Sequence, residues 1–326
     1  MENTLFIITH HMTFFLAGYL KHCLCLDVKL EDSDSKLDNN INLIYKTLKK
    51  HNLKTIFFLY NCSYINRVVN YKLNNNITVN IIAWHQKNYF PAKVVKHLYK
   101  IMEYSIVQCQ KNSHYDPSNS QKYELFHYPA ILPPDVDTKF EELPQEVKAR
   151  YNNKYIYSGG NNNRNYRMII KIATQFPQYS FIFNLSERAC KKYIKSDINN
   201  IPNNLKIYIN VTPTEFLYAI KNAHILLLPY RKPKSTVGHS TVAQGIYYKK
   251  PIISSTNSSM DESISNGQTG YLVDIGDIKT TMKKVKTLME DDNVYGNMVD
   301  KLNMIQNTRT IEYYINRIKE VLYQQD

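Results

Sequence analysis

The sequence lacks the paired cysteines of a disulfide framework or a zinc site. Its five cysteines, at positions 23, 25, 62, 109 and 190, form an odd and scattered set without a C-x-x-C pair. Disulfide-stapled modules carry an even number of cysteines, and structural zinc sites carry closely spaced cysteine or histidine pairs. The cysteines therefore argue against both kinds of site and favour a reducing compartment.

Long apolar runs are also missing. A membrane-spanning helix needs about 20 apolar residues, whereas the stretch from Leu5 to Leu20 is interrupted by two histidines and two threonines. Because Glu2 is acidic and no basic segment precedes the first apolar run, no secretory signal is expected. The sequence predicts a soluble, cytoplasmic protein whose membrane contact, if any, is peripheral and with an acidic surface.

Several motifs of common enzymes are absent. The chain has no Walker A sequence, no G-x-S-x-G elbow and no H-E-x-x-H helix, so P-loop hydrolases, serine esterases and zinc proteases lack their residues. Gly159 and Gly160 are not followed by the G-x-G-x-x-G spacing of a dinucleotide-binding turn. A dehydrogenase is therefore disfavoured.

The length and composition indicate a globular chain of about two domains. The chain has 326 residues, of which 43% are hydrophobic and 21% charged, enough apolar material for a core. Lysine and arginine number 41 against 28 acidic residues, a net charge of +13. This excess favours phosphorylated ligands, nucleic acid or an acidic membrane surface, and the charge alone does not choose among them.

Short apolar runs alternate with helical patterns along both halves of the chain, as in parallel sheets covered on both faces. The expected strands are Leu5–Thr9, Thr55–Tyr60, Ile77–Trp84, Ser105–Cys109, Tyr155–Ser158, Ser180–Asn184, Lys206–Val211, Ile225–Pro229, Pro251–Ser254 and Tyr271–Val273. A proline-rich segment, Tyr128–Asp137, separates the two sets as a linker. An amphipathic helix is expected over Thr310–Gln324.

One stretch of the second half has the features of a phosphate-binding site. The strand at residues 225–229 is followed by Gly238-His-Ser-Thr-Val-Ala-Gln-Gly-Ile, in which Ser240 or Thr241 is expected to cap a helix. A helix amino terminus binds phosphate through its unpaired N–H groups and its dipole. Because Gly238 allows a ligand to approach the backbone, the expected ligand is a diphosphate.

This stretch, with Lys250-Pro-Ile-Ile-Ser-Ser and Asp261-Glu-Ser-Ile-Ser-Asn-Gly-Gln-Thr-Gly270 after it, resembles the donor-binding domain of GT-B glycosyltransferases. The resemblance is to the large retaining family with two glutamates seven residues apart (glycosyltransferase family 4-like). Ser158-Gly-Gly-Asn-Asn-Asn-Arg164, Leu205-Lys-Ile-Tyr-Ile-Asn-Val211 and Tyr128-Pro-Ala-Ile-Leu-Pro-Pro-Asp-Val-Asp137 are similar to other segments of that family, in the same order.

The resemblance implies an α/β fold of two Rossmann-like, doubly wound parallel-sheet domains with a deep cleft between them. It places an acceptor-side domain at residues 1–140, a nucleotide-sugar domain at 141–309, and a helix at 310–326 that packs back on the first domain. Its implied activity is metal-independent, retaining transfer of a hexose from a UDP- or GDP-sugar, GDP-mannose among them. The acceptor would be a glycan, lipid or protein, and no cofactor is expected.

The implied donor-binding residues are Gly159, Gly160, Arg164, Arg231, Lys234, Gly238, His239, Ser240, Thr241 and Gln244. His85, at the end of an expected strand, matches in position the family histidine that touches the donor sugar. The alternative is an ordinary strand-ending histidine. Both family glutamates are replaced, the first by Thr236 and the second by Gln244, so retention of configuration follows from the family alone.

No metal site is expected. Asp32 and Asp34 have the Asp-x-Asp spacing that holds Mn²⁺ or Mg²⁺ in other glycosyltransferases, but they lie in a polar run that reads as a solvated loop. Two other functions stay open. One is a nucleotide-sugar epimerase of the same fold, and the other is a non-catalytic, basic protein that binds nucleic acid or glycans, although nucleic acid is the less expected partner.

Overall fold

The structure of the chain is a computed structural model that describes residues 4–8, 24–27, 34–53, 55–58, 80–85, 104–107, 123–125, 127–133, 135–194, 200–231, 238–256, 260 and 262–323. The chain divides into two compact units. One comprises Met1–Phe126 with Tyr314–Asp326, and the other comprises His127–Tyr313.

The first unit contains a parallel sheet. Its described strands are β1 (Thr4–Ile8), β2 (Leu24–Asp27), β3 (Thr55–Phe58), β4 (Asn80–His85), β5 (Tyr104–Val107) and β6 (Tyr123–Leu125). They lie side by side in the order β2-β1-β3-β4-β5-β6, and every pair is parallel. The four strands expected in this half are present within a few residues, whereas β2 and β6 were not expected.

Helix α1 (Asp34–His51) precedes β3 and buries Ile44 and Leu48 on its apolar face. The interpretation of residues 31–36 as a loop is wrong from Asp34 onward, because this residue begins the helix; Asp32 lies outside the described residues. The pattern from Ile41 onward predicted the rest of the helix, but Leu37 is the one apolar residue between Asp34 and Asn40, too few to show a helical period.

The second unit contains another parallel sheet, formed by β7 (Tyr155–Gly159), β8 (Ser180–Leu185), β9 (Leu205–Ile209), β10 (Ile225–Leu228), β11 (Ile252–Ser255) and β12 (Gly270–Val273). The strand order is β12-β11-β10-β7-β8-β9. The chain winds outward from β7 in one direction and restarts at β10 in the other. The switch point of this Rossmann-like sheet therefore lies between β7 and β10, where such sheets bind ligands.

Both faces of this sheet are covered, which explains why its strands are almost wholly apolar. In β10, Ile225 and Leu227 pack into the core on one face, while Leu226 and Leu228 pack into the core on the other. The described helices of this unit are α2 (Val136–Glu141), α3 (Gln145–Ala149), α4 (Tyr166–Gln175), α5 (Glu187–Tyr193), α6 (Pro213–Asn222), α7 (His239–Tyr247), α8 (Ile278–Glu290) and α9 (Asp292–Ile305).

The chain leaves the second unit through a short 3₁₀ turn, Gln306–Arg309, and helix α10 (Ile311–Tyr323). This helix was expected, and Ile311 and Ile315 of its apolar stripe are buried. Among the helices that the structure describes, none is long and apolar enough to cross a membrane.

Candidate functional site

The loops that follow β7 and β10 meet at the switch point of the second sheet. Asn165 N donates to the carbonyl of Pro229 at 2.8 Å, and Arg164 forms an isolated antiparallel bridge with Tyr230. Gly160 has a φ of +115°, a conformation that side-chain-bearing residues rarely adopt. The glycine turn after β7 is therefore joined directly to the end of β10.

Arg164 is buried in this junction. Its Nη2 donates to the carbonyl of Gly159 at 2.9 Å, and its guanidinium lies 4.5 Å from the ring centre of Tyr230. Only 2% of the residue is exposed, yet Nε and Nη1 have no hydrogen-bond partner. Arg164 thus has two donor nitrogens without a partner at the place where the sequence predicts a phosphate.

Arg231 also lies beside the glycine turn, because its backbone N–H donates to the carbonyl of Asn163 at 3.2 Å. Arg167, which was expected to face solvent, is exposed in the first turn of α4. Arg231 is exposed, and its guanidinium lies 5.4 Å from the ring centre of Tyr193. Lys234 and Thr236 fall outside the described residues.

Helix α7 begins differently from the sequence expectation. Its N-cap is Gly238, with a φ of +88° and no side-chain cap, and the first helical hydrogen bond runs from Val242 N to Gly238 O at 3.0 Å. The prediction that Ser240 or Thr241 caps the helix is wrong, because both lie inside its first turn. The left-handed turn at Gly238 starts the helix early and leaves first-turn N–H groups without intrahelical acceptors.

Buried polar atoms without partners are concentrated around this helix start and the switch point. Tyr157 and Ser158 occupy the end of β7, Tyr230 follows β10, and His239 and Gln244 belong to α7. The atoms concerned are Tyr157 Oη, Ser158 Oγ, Tyr230 Oη, His239 Nε2 and Gln244 Oε1, besides the two nitrogens of Arg164. Since buried polar groups normally find hydrogen-bond partners, such a concentration indicates a ligand site.

Two of the glycines have packing reasons of their own. A Cβ at Gly159 would overlap the hydroxyl of Tyr157 and lie 2.6 Å from the Phe216 ring. A Cβ at Gly238 would overlap the hydroxyl of Tyr230. Both glycines are required by the protein itself, whatever ligand they admit.

Sequence reasoning missed a buried carboxylate near the carboxyl ends of β8 and β9. Glu215, in the first turn of α6, accepts hydrogen bonds from Tyr151 Oη and Arg150 Nη1, each at 2.8 Å. Tyr151 also contacts Asn184, and burial raises the pKa of its phenol well above the usual value. Both hydrogen bonds end on Oε1 of Glu215, so this carboxylate ties the start of α6 to the segment that carries Arg150 and Tyr151. No local sequence pattern predicts this pairing.

His85 is the last residue of β4 in the first unit, paired in register with Val107 of β5. Its position at the end of a strand is as expected, and its side chain is outside the described part of the structure. Within the described residues, no group of three or more histidine, cysteine, aspartate or glutamate side chains is arranged to hold a metal ion.

Comparison with known structures finds whole-length similarity. The chain aligns with a glycosyltransferase from Rickettsia africae at 14% identity and a TM-score of 0.75, covering 98% of this chain and 97% of that one. It aligns with Anabaena HepE in complex with UDP at 11% identity and a TM-score of 0.73, covering 98% and 99%. UDP-GlcNAc 2-epimerase from Neisseria meningitidis shares 13% identity and a TM-score of 0.63, covering 98% and 99%. No curated protein sequence matches the chain.

The family described as glycosyl transferases group 1 matches residues 145–309, half of the chain and the part that carries the site described above. The structural likeness confirms the predicted GT-B fold. The chain therefore belongs to the glycosyl transferases group 1 family and is a glycosyltransferase.

Proposed function

We propose that the protein transfers a hexose from a nucleotide diphosphate sugar, a UDP- or GDP-sugar, to a glycan, lipid or protein acceptor. The single observation that carries the donor assignment is the concentration of unpartnered buried polar atoms around the start of α7 and the switch point. Hydroxyls, an amide and a guanidinium of this kind match the oxygens of a diphosphate and a ribose.

The diphosphate would lie at the amino terminus of α7, against Gly238, His239, Ser240 and Thr241. The first-turn N–H groups and the helix dipole favour an anion there. Gly159, Gly160 and Arg164 close the site from the β7 side, and Arg164 directs Nε and Nη1 to groups that the protein does not supply. Gln244, one turn further into α7 and 7% exposed, would bind a ribose hydroxyl through Oε1.

Departure of the nucleoside diphosphate requires its new negative charge to be stabilised. Arg164, Arg231, Lys234 and the α7 amino terminus are the groups that we assign to this task, so we propose transfer without a bound metal and without a cofactor. HepE of Anabaena, which shares the fold, has been crystallised with UDP and with UDP-glucose. This supports a UDP-sugar among the candidate donors.

The sugar end of the site lacks the carboxylates of the resembled family. Gln244 has no charge with which to orient a sugar, and His85 is the residue that we assign to the sugar from the first unit. We propose retention of configuration on the family resemblance. An epimerase is the second candidate, supported by the fold shared with UDP-GlcNAc 2-epimerase, whereas a basic nucleic-acid or glycan binder is favoured only by the net charge of +13.

The test is a panel of UDP- and GDP-sugars screened by thermal shift and calorimetry, followed by product analysis. A ligand at 100 times its Kd adds about 2.7 kcal/mol to the unfolding free energy, which a melting curve resolves. Transfer, with full activity in EDTA and a product anomer matching the donor by NMR, is expected. Conversion of the free nucleotide sugar to its epimer would replace the transferase proposal, and strict Mn²⁺ dependence would overturn the metal-free step.

If no nucleotide sugar binds, nucleic acid and acidic glycans are the alternative ligands. Binding of nucleic acid falls steeply as salt is raised, because counterions are released from the phosphates. A saturable, salt-tolerant response to a small nucleotide is expected instead. Tight, salt-sensitive binding of nucleic acid without any response to nucleotides would favour the basic binding protein.

A further inference from the structure

Three basic residues of the second unit lie on segments that pack together beside the start of α7. We refer to His127, His239 and Arg309 as the basic cluster. His239 stacks on Tyr128 with ring centres 6.4 Å apart, and Ala130 N donates to the carbonyl of Arg309 at 2.7 Å. The 3₁₀ turn that ends in Arg309 packs against α7. The cluster thus joins the first and last segments of this unit to the helix amino terminus.

Arg309 and His239 are buried, and each member of the cluster has one nitrogen without a hydrogen-bond partner. Arg309 is 4% exposed and His239 is 7% exposed. Arg309 Nη1, His239 Nε2 and His127 Nδ1 have no hydrogen-bond partner. Among the residues that the structure describes, no carboxylate forms an ion pair with any of the three.

A buried guanidinium without a counterion is unfavourable, because the ion loses its hydration without gaining an opposite charge. Burial, with Arg309 as the next cause, lowers the pKa of both His127 and His239 to about 4. Burial also lowers the pKa of Arg309 to about 10. At neutral pH both imidazoles are therefore uncharged, and Arg309 is the charged member of the cluster. Its buried guanidinium has no counterion among the described residues, which favours an anion beside it.

An anion has a second reason to bind at this place. Helix α7 contains nine residues and begins at His239 itself, so the positive end of its dipole and its unpaired N–H groups coincide with the cluster. His239 lies at the helix amino terminus and Arg309 lies on the turn that packs against α7, and both are more than nine-tenths buried with an unpaired nitrogen. The oxygens of a phosphate or sulfate match these side-chain nitrogens and first-turn N–H groups, whereas a carboxylate has too few oxygens to accept from all of them.

We propose that Arg309, assisted by His127 and His239, binds a phosphate group at the start of α7, and that this group is the terminal phosphate of the nucleoside diphosphate. The assignment to the donor rests on the proposed function. It adds to the site a guanidinium from the very end of the unit, remote in sequence from every donor-binding motif. Arg164 and Arg309 would then hold the leaving group from two sides.

The test compares Arg309→Met with Lys301→Met, which removes the same charge from an exposed position on α9. Calorimetry with UDP, GDP, UMP and GMP is expected to show at least a tenfold loss of nucleoside diphosphate affinity in Arg309→Met, and less than a twofold loss for the monophosphates. The unfolding free energy of Arg309→Met without ligand is expected to match or exceed that of the wild type. Lys301→Met should behave as wild type in both assays.

Arg309→Lys provides a second variant that keeps the charge, and part of the diphosphate affinity should survive in it. A folded Arg309→Met protein with wild-type UDP and GDP affinity would overturn the proposal while leaving the proposed function intact. A large loss of stability with unchanged affinity would do the same, since it marks a structural arginine.

Pyrophosphate and glucose 6-phosphate, added to the wild type and to Arg309→Met in thermal-shift measurements, separate the two proposals. Pyrophosphate protection that depends on Arg309, in a protein that binds neither UDP nor GDP, would support the phosphate site and overturn the nucleotide donor. Dependence on Arg309 for glucose 6-phosphate but not for UDP or GDP would overturn the assignment to the donor phosphate.

Discussion

The hydroxyl of Tyr230 occupies the space into which a side chain at Gly238 would extend. Tyr230 is fully buried and is the second residue after β10. The guanidinium of Arg164 lies over its ring. One tyrosine thus supports both halves of the candidate site, the glycine turn after β7 and the start of α7. This contact makes Gly238 a structural requirement of the second unit.

A side chain at residue 238 should therefore destabilise the protein. Gly238→Ala faces two penalties, a φ of +88° and the overlap with Tyr230, whereas Gly276→Ala faces only the first, because Gly276 has a φ of +85° with no atom near its Cβ position. We expect urea unfolding to show a loss of about 1–2 kcal/mol for Gly276→Ala and a clearly larger loss for Gly238→Ala. Equal losses would mean that Tyr230 moves aside without cost.

Ser240→Ala should separate binding from stability. Ser240 lies inside the first turn of α7 and does not cap it, so its removal should change the unfolding free energy by less than about 0.5 kcal/mol. Loss of one hydrogen bond to a phosphate should weaken nucleoside diphosphate binding about fivefold.

The matched control is Ser186→Ala, because Ser186 does cap α5 by accepting from Ala189 N at 3.2 Å. This substitution should lower the unfolding free energy by about 1 kcal/mol. Wild-type affinity in Ser240→Ala would remove this hydroxyl from the site.

Arg164→Lys should not be a conservative change. A lysine has no planar fork with which to donate to Gly159 O and cover the Tyr230 ring at once. We expect at least a tenfold loss of nucleoside diphosphate affinity by calorimetry, together with a lower melting temperature. The exposed Arg167→Lys, one turn away, should retain wild-type values in both measurements. A destabilised Arg164→Lys protein that still binds the diphosphate normally would identify Arg164 as a structural residue only.

Stability should fall as the pH is lowered from 7 towards 4. Burial, with Lys154 as the next cause, lowers the pKa of His224 to about 4. An unfolded histidine titrates near 6.5, so between these values the unfolded chain binds more protons, and each such histidine costs about 2 kcal/mol at pH 5. Lowering the pH therefore removes stability, and raising it through 6.5 restores it.

His224→Phe tests this titration away from the candidate site. The ring of His224 stacks on Tyr295 with centres 3.9 Å apart, and phenylalanine keeps the stack without the titrating nitrogen. The difference in unfolding free energy between pH 7 and pH 5 should shrink by about 2 kcal/mol in this variant. An unchanged difference would show that His224 does not become protonated on unfolding.

His85→Ala should reduce turnover more than nucleotide binding. His85 closes β4 at the carboxyl edge of the first sheet, where α/β sheets collect ligands. Because the residue is assigned to the sugar, we expect kcat to fall while the Kd for the nucleoside diphosphate stays within twofold. Turnover at the wild-type rate would make it an ordinary strand-ending histidine.

Most strands of the second unit could be predicted from the sequence. Strands such as Ile225–Leu228 are buried on both faces, so their residues must be uniformly apolar, and a short apolar run between helices is therefore a reliable signal. Strands β2 and β6 escaped prediction because Leu24–Asp27 and Tyr123–Leu125 are too short to show a period.

The linker was predicted from its prolines, but the conformation at its end was not. Asp135 adopts a left-handed φ of +57° before α2. Aspartate tolerates this conformation better than most residues with a side chain. The start of α7 was not readable, because Ser240 and Thr241 are the usual capping residues and the left-handed turn at Gly238 is decided by how the chain leaves β10.

The α/β alternation and the order of the elements depend on neighbours within one strand or one turn, so local sequence patterns predict them. Three features depend on remote segments instead: Arg164 lies buried on Tyr230, Glu215 accepts from Arg150 and Tyr151, and His127, His239 and Arg309 form one basic cluster. The residues of each group come from segments that are separate along the chain. Hydrogen bonds, burial and charge repulsion between remote segments arise only when the sheet brings their ends together, and no local pattern of residues encodes them.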